Sequence, residues 1–372
     1  MGKAKTIWRQ LQAPLSRAEF QAIVRAHRGD WHVHFVDCWS HFLCLLWAQL
    51  TGRVSLRDIE EEAEAHWDEL AACGVQSAER STVSRANRQR PFQIVAAFCD
   101  ALLARYGRVT GRAFHCAHPL YSIDATVIDL CQALFPWAFF RRAKAGIKAH
   151  VLWDHRRAVP TLLNVTPAHE REFRTARRLT LPPGSILCCD AGYLDFDWFR
   201  QLGERGITVI TRPRVDWTYA LVERRGCAGQ EGVTSDHMVR LTGPLSRQKY
   251  PGLLRRVRSV DPQTKQAWIV MTTNLDLPAA TVVALYRKRW EIEEFFRWIK
   301  KNLQIQAFWG TSYNAVMWQL FTAFALYLLL AYLKEQMKLG WSLFQIQRKL
   351  RAYAYTRLSL QKLLAVKSHT AT

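Results

Sequence analysis

The chain has 372 residues, with 52 Lys and Arg against 31 Asp and Glu, 49% apolar side chains and 15 Trp, for a formal charge of +21. That length and apolar content exclude a disordered tail and a small disulfide-stapled module, and predict two or three domains with a large core. So cationic a surface is expected to meet a polyanion, and the excess is lopsided: residues 1–115 carry 15 basic and 12 acidic side chains, leaving +18 for 116–372.

The nine cysteines are odd in number and scattered, which is not the spacing of a disulfide framework. His115, Cys116 and His118 are grouped but lack the second half of a tetrahedral zinc site. They read as reduced residues of a cytosolic protein. The opening MGKAKTIWRQLQ has no apolar h-region and is no secretory signal.

Residues 1–112 read as a helical domain. An apolar run over 32–50 ends at Thr51-Gly52, and Ser55 is placed to cap an acidic helix through about Leu70. In STVSRANRQRP (81–91), Ser81 is expected to cap a short helix exposing Ser84, Arg85, Asn87 and Arg88, the mix that a helix-turn-helix uses on base edges and phosphates. A solvated basic turn before Pro91 is the competing reading.

From about 115 strands alternate with helices: YSIDATVIDL (121–130), IKAHVLWD (147–154), VPTLLNVT (159–166), a basic helix near 169–179, SILCCD (185–190), a helix near 195–205 and ITVITRP (207–213). This order predicts a mixed α/β sheet covered by helices. Residues 214–275 break the rhythm with TYALVER and AWIVMTT between Gly- and Pro-containing loops, a β-rich insertion. One helix is predicted over about 279–303. The apolar AVMWQLFTAFALYLLLAYL (315–333) that follows is long enough to span a bilayer, but the charged, amphipathic chain around it favours a buried core helix.

Two aspartates stand where strands would present them: Asp124 inside YSIDATVIDL and Asp190 at the end of SILCCD. A carboxylate in a buried strand is costly unless it is paired or bound to a cation. Two at the mouth of one sheet suit a hard divalent ion with oxygen ligands. Asp129 competes with Asp124, and Asp190 could simply cap the next turn. In LYRKRWEIEEFFRWIKKNL, at about 100° per residue, Tyr286, Arg289, Glu293 and Lys300 fall within about 60° of one another. This stripe lies beside the apolar face of Leu285, Ile292, Phe296, Ile299 and Leu303, so the helix is expected to turn a carboxylate, two cations and a phenol toward the sheet.

The spacing Tyr-x2-Arg-x3-Glu-x6-Lys resembles, without a gap, the signature of the Tyr-Arg-Glu-Lys branch of insertion-sequence transposases in the Asp-Asp-Glu, ribonuclease H-like superfamily. RWEIEEF, IDAT around Asp124 and CDAGY around Asp190 look like that branch too. The resemblance covers about 120–335, and HFVDCWSHFLCLLWAQLTGRVSLRDIE is similar to the accessory domain that opens many of these enzymes. It implies an α/β fold: a ribonuclease H-like mixed sheet with flanking helices at 113–213 and 276–335, interrupted by the β-rich insertion 214–275. An all-α DNA-binding domain (1–112) precedes it and a helical extension (336–372) follows.

The resemblance further implies that Asp124, Asp190 and Glu293 coordinate two Mg²⁺ or Mn²⁺ ions, a pair suited to in-line phosphoryl displacement. Tyr286, Arg289 and Lys300 would bind transposon-end phosphates, and Trp268 would stack on a base flipped from the duplex. Arg85 and Arg88 are the expected DNA contacts of the first domain. The clusters Arg141, Arg142, Lys144, Lys148; Arg171, Arg174, Arg177, Arg178; and Arg255, Arg256, Arg258 would line a DNA channel.

The expected function is a transposase that binds terminal inverted repeats, exposes a 3′-hydroxyl and joins it to target DNA, cut-and-paste through a hairpin end. A homodimer on double-stranded DNA in the bacterial cytoplasm, at the nucleoid, is implied, without membrane or small-molecule substrate. A nuclease without strand transfer and a transposase-derived DNA-binding regulator are the alternatives.

Overall fold

The computed structural model describes residues 5–33, 35–106, 118–141, 144–227, 229 and 232–365. The readings of His115, Cys116 and Arg142 lie outside them. The described chain opens with helices α1 (Ile7–Leu11), α2 (Arg17–Ala26), α3 (Cys38–Thr51), α4 (Leu56–Ala65), α5 (Trp67–Ala72), α6 (Arg80–Gln89) and α7 (Gln93–Tyr106). There follow β1 (Leu120–Leu130), β2 (Phe139–Arg141), β3 (Lys144–Asp154), β4 (Val159–Pro167), α8 (Glu172–Ala176), β5 (Ile186–Cys189), α9 (Phe196–Glu204) and β6 (Thr208–Thr211). Next come β7 (Tyr219–Arg225), β8 (Val233–Leu241), α10 (Pro244–Lys249), β9 (Leu254–Val260) and β10 (Ala267–Thr272). The chain closes with α11 (Ala279–Lys288), α12 (Trp290–Asn302), α13 (Tyr313–Gln336), α14 (Leu343–Ala352) and α15 (Leu360–Ala365).

Contacts divide the chain into two compact units: Met1–Thr110 with Ile128–Gly146 and Phe296–Thr372, and Gly111–Val127 with Ile147–Phe295. This division differs from the domains expected from sequence, since the C-terminal helices share a unit with the N-terminal ones.

In the first unit local chemistry sets the helix ends. Asp37 accepts from Ser40 N (2.6 Å) to start α3, and Gly52, at φ 73°, ends it in the left-handed region that lacks a penalty only for glycine. Ser55 caps α4 through Asp58 N as expected, but α4 stops at Ala65. The α6 segment is helical, with Glu79 rather than Ser81 at its N-cap; Ser81 lies inside the first turn and donates to Glu79 Oε1 (2.6 Å). Asn87 does not join the exposed face: it is buried, with Oδ1 2.7 Å from His41 Nε2 and its carbonyl accepting from Asn314 (2.8 Å). Arg85 and Arg88 remain exposed.

Helix α13 is the one described helix long and apolar enough to cross a membrane, and 89% of its most apolar window is buried. Its Gln319 is satisfied inside the protein, donating to the carbonyls of Gln304 (2.6 Å) and Ala307 (2.8 Å) and accepting from Trp309 N (2.8 Å). A core helix is the outcome that the sequence favoured.

In the second unit β5 lies between β1 and β6, parallel to both, with Ile123 opposite Cys189 and Cys189 opposite Thr211. β3 neighbours β1 and pairs antiparallel with β4. Beyond β6 come β10, β9, β8 and β7, each antiparallel to the last. The strands of the insertion therefore extend the same sheet.

Side-chain alternation covers both faces. Ile186 and Cys188 of β5 pack with Val282, Leu285 and Tyr286 of α11, while Leu187 and Cys189 pack with Trp198, Phe199 and Leu202 of α9. The predicted basic helix at 169–179 shortens to the five residues of α8. The predicted helix at 279–303 is interrupted at Arg289, where the bonds Arg289 N to Tyr286 O (3.1 Å) and Ile292 N to Arg289 O (3.2 Å) tighten the chain to 3₁₀ spacing.

Candidate active site

The β1/β5 register builds the site. Ile123 pairs with Cys189, so the next residues, Asp124 and Asp190, emerge side by side as β5 ends. Asp190 is held by its own turn, Oδ1 accepting from Gly192 N (2.8 Å), and Asp124 Oδ1 accepts from Ala125 N (2.8 Å). The tightened turn between α11 and α12 supplies the third acid through an arginine. Arg289 donates to Asp124 Oδ2 (2.9 Å) and to Glu293 Oε1 (2.5 Å), one guanidinium spanning both carboxylates.

The electrostatics are uneven. Burial pushes the Asp124 carboxyl up to about 7; Arg289 and the Ala125 N–H work against the rise, while Asp190 and Glu293 add to it. A carboxylate so placed needs a nearby cation to stay ionised, and Arg289 is that cation here. Among the described residues no three His, Cys, Asp or Glu side chains surround a common point, and the guanidinium stands between Asp124 and Glu293.

The other expected site residues separate. Tyr286, expected on DNA phosphates, is buried: its ring lies 5.7 Å from the Arg289 guanidinium and edge-on to Trp268 at 6.3 Å. Half-buried Trp268 is flanked by the guanidinium groups of Arg212 (5.4 Å) and Arg287 (5.6 Å). Tyr286 Oη, Arg287 Nε and Arg289 Nε are buried without hydrogen-bond partners. Lys300 belongs to the other unit, where burial lowers its ammonium pKa and Asp129 raises it. Asp129, the alternative to Asp124, is exposed and belongs to the other unit.

The basic clusters also divide. Arg255, expected to line a channel, is buried and bound by both Asp236 oxygens (2.8 and 2.6 Å). Arg177 is held by Asp195 (2.8 Å) and Lys148 by Glu172 (3.1 Å). Arg171, Arg174, Arg178 and Arg258 are exposed.

Sequence reasoning missed a fourth carboxylate. Glu172, at the start of α8, packs on Gly192 so closely that a side chain there would collide with it, and that side chain would also stand 3.1 Å from Asp190 Oδ1. Burial raises the Tyr193 hydroxyl pKa, and Glu172, Asp124 and Asp190 raise it further. Sequence reasoning also missed Ser122, His155 and Glu291. Burial alone would raise the Glu291 carboxyl, but His155 and Lys288 hold it down at about 2.

Residues 115–329 match the family described as transposase DDE domain, and residues 3–76 match a domain of unknown function (DUF4372). The putative transposase y4zB of Sinorhizobium fredii (strain NBRC 101917 / NGR234) is 34% identical over 254 residues, 66% of this chain and 68% of the relative. A probable transposase for insertion sequence element IS5377, from Geobacillus stearothermophilus, is 26% identical over 259 residues, 69% of this chain and 68% of the relative. The solved piggyBac transposase synaptic complex with hairpin DNA aligns with 88% of this chain and 68% of its own at 10% identity, and its TM-score of 0.42 is too low to add to the argument. The DDE match spans more than half of the chain, and with it this chain belongs to the DDE transposase family: it is a transposase, an enzyme that acts on DNA.

Proposed function

We propose that this transposase binds the terminal inverted repeats of its own element, cleaves there to free a 3′-hydroxyl, and transfers that end to target DNA, cut-and-paste through a hairpin end. The observation that carries the reading is the β1/β5 register that sets Asp124 beside Asp190, with Arg289 bridging Asp124 to Glu293. Transposases of this family generally depend on a divalent metal. The residues fit one: all three are hard oxygen donors, and buried Asp124 needs a cation. Asp124, Asp190 and Glu293 would hold two Mg²⁺ or Mn²⁺ ions, which when bound polarise the phosphoryl group and acidify the attacking hydroxyl or water.

The chain's own residues do the rest. Arg289, with Nε unpaired and two carboxylates on its other nitrogens, is poised to exchange those carboxylates for a phosphate near the cut. Tyr286 and Arg287 offer further unpaired donors on the same turn, and Lys300 a point charge farther along α12. Trp268, half-buried between two arginines, would take an unstacked base. Arg85 and Arg88 would follow the duplex from α6. Because two ends must be paired, the working form is a homodimer on DNA.

The test is cleavage of DNA carrying the repeats that flank this reading frame. Mg²⁺-dependent nicking that disappears in Asp124→Asn and Glu293→Gln is expected, and a pre-cleaved end should join plasmid DNA. Undiminished cleavage by either variant would overturn the site assignment, and nicking without joining would leave a nuclease.

A further inference from the structure

A second chain of hydrogen bonds runs between the strand and the helix that carry the acids. Ser122 lies on β1 two residues before Asp124, on the same face of the strand. Its Oγ is 2.7 Å from Nε2 of His155, and Nδ1 of that ring is 2.9 Å from Oε2 of Glu291. Trp153 Nε1 donates to the same oxygen (3.2 Å) and Lys288 Nζ to the other (3.1 Å), while His155 N donates to the carbonyl of Leu120 (3.1 Å). Glu291 stands midway between Arg289 and Glu293.

Serine, histidine and carboxylate in this order are the parts of a nucleophilic triad. Ser122 and His155 are wholly buried, however, so no substrate atom reaches Oγ. What the chain can do is mechanical. It ties β1 to the first turn of α12, the place where helical bonding gives way to 3₁₀ spacing and the helix would otherwise be free to pivot. A pivot there would move Glu293 relative to Asp124.

We propose that Ser122, His155 and Glu291 are positioning residues: a buried clamp that fixes the separation of Asp124 and Glu293 and so sets the affinity of the site for its divalent ions. This rests on the metal-dependent reading above. Polar partners that orient ligating carboxylates typically account for about 10–100-fold in metal affinity or activity.

The experiment uses the full chain and Mn²⁺ alone, with binding read by electron paramagnetic resonance, followed by end cleavage over a Mn²⁺ titration. Ser122→Ala and Glu291→Leu should each weaken Mn²⁺ binding by about tenfold or more. Saturating Mn²⁺ should return their cleavage rate to within about twofold of wild type. Glu291→Gln, which keeps an acceptor for His155 Nδ1–H, should stay within about threefold in affinity, a rescue that general destabilisation does not produce. Thermal melts identify any variant that fails to fold, and Ser122→Ala, the smallest change, remains the deciding one. Wild-type affinity in folded Ser122→Ala and Glu291→Leu would overturn the clamp while leaving the metal site standing. A wild-type chain that binds no Mn²⁺ and cuts no end DNA would overturn the metal reading and the clamp with it.

Discussion

Arg255 and Arg289, both in the second unit, are each bound by carboxylates, and they differ in what is left over. Arg255 is fully satisfied: Asp236 grips Nε and Nη2, the carbonyls of Leu275 and Leu277 take Nη1, and both side chains are about as buried as side chains become. Arg289 also meets carboxylates, but its Nε is unpaired, its two acids come from different elements, and Glu293 is 29% exposed. The first is a closed ion pair at the base of β8 and β9, where opening it would strand a charge in the core. The second is half-satisfied beside solvent, so its partners can be exchanged. Equal chemistry therefore serves stability in one place and leaves reactive groups available in the other.

The sharpest way to break this comparison is to remove one carboxylate from each pair. Glu293→Gln should lower end cleavage by about a thousandfold, since ion-mediated charge stabilisation is worth several kcal/mol and each 1.36 kcal/mol is about tenfold. Its stability to urea should stay within about 1 kcal/mol of wild type. Asp236→Asn should do the reverse at the level of the fold, costing about 3–5 kcal/mol of stability because Arg255 is left charged and buried. If Asp236→Asn were neutral in a urea melt, the distinction between closed and open pairs would fail.

The unequal legibility of these two sites has a physical cause. Asp124, Asp190 and the spacing of Arg289 and Glu293 are local patterns: the last two lie four residues apart and bond to each other, although the helix expected to carry both breaks at Arg289. That Arg289 also reaches Asp124, 165 residues away, depends on strand register, which no local spacing encodes. Tyr286 looked like a polar member of the stripe, but a phenol is largely apolar and the sheet buried it. Arg255 looked like one of three surface arginines until strand pairing put Asp236 beside it. Likewise TYALVER and AWIVMTT read as strands, while the sheet they would extend was decided by pairing between β6 and β10.

His150 gives an intermediate case, a buried titratable group kept neutral. Its ring is held by Thr166 Oγ1 (2.9 Å), and burial, with Lys148 nearby, lowers its pKa to about 4. A base whose folded pKa lies below its unfolded value, about 6.5, stabilises the fold fully above that value and loses the contribution as pH falls toward 4. Unfolding free energy should therefore drop by as much as about 3 kcal/mol over that window, at about 1.36 kcal/mol per unit. In a folded His150→Gln variant the pH slope should lose close to one proton; an unchanged slope would place the titration elsewhere.

The smallest effect separates the two roles that Arg289 is asked to play. As the resident cation it competes with any divalent ion for Asp124 and Glu293; as a phosphate ligand it helps the reaction. Replacing it with alanine removes both at once, and the two consequences have opposite signs. Mn²⁺ binding in the absence of DNA should tighten by about tenfold, since two carboxylates lose a contact cation whose attraction at an effective dielectric of about 20 is a few kcal/mol before solvent relaxation. End cleavage should nevertheless fall, because nothing then holds the phosphate beside the acids. The corresponding change at the closed pair, Arg255→Ala, should leave Mn²⁺ binding where it was. If Arg289→Ala instead weakened Mn²⁺ binding, the guanidinium would be organising the acids for the ion and not standing in its place, and the open pair would have to be regarded as structural after all.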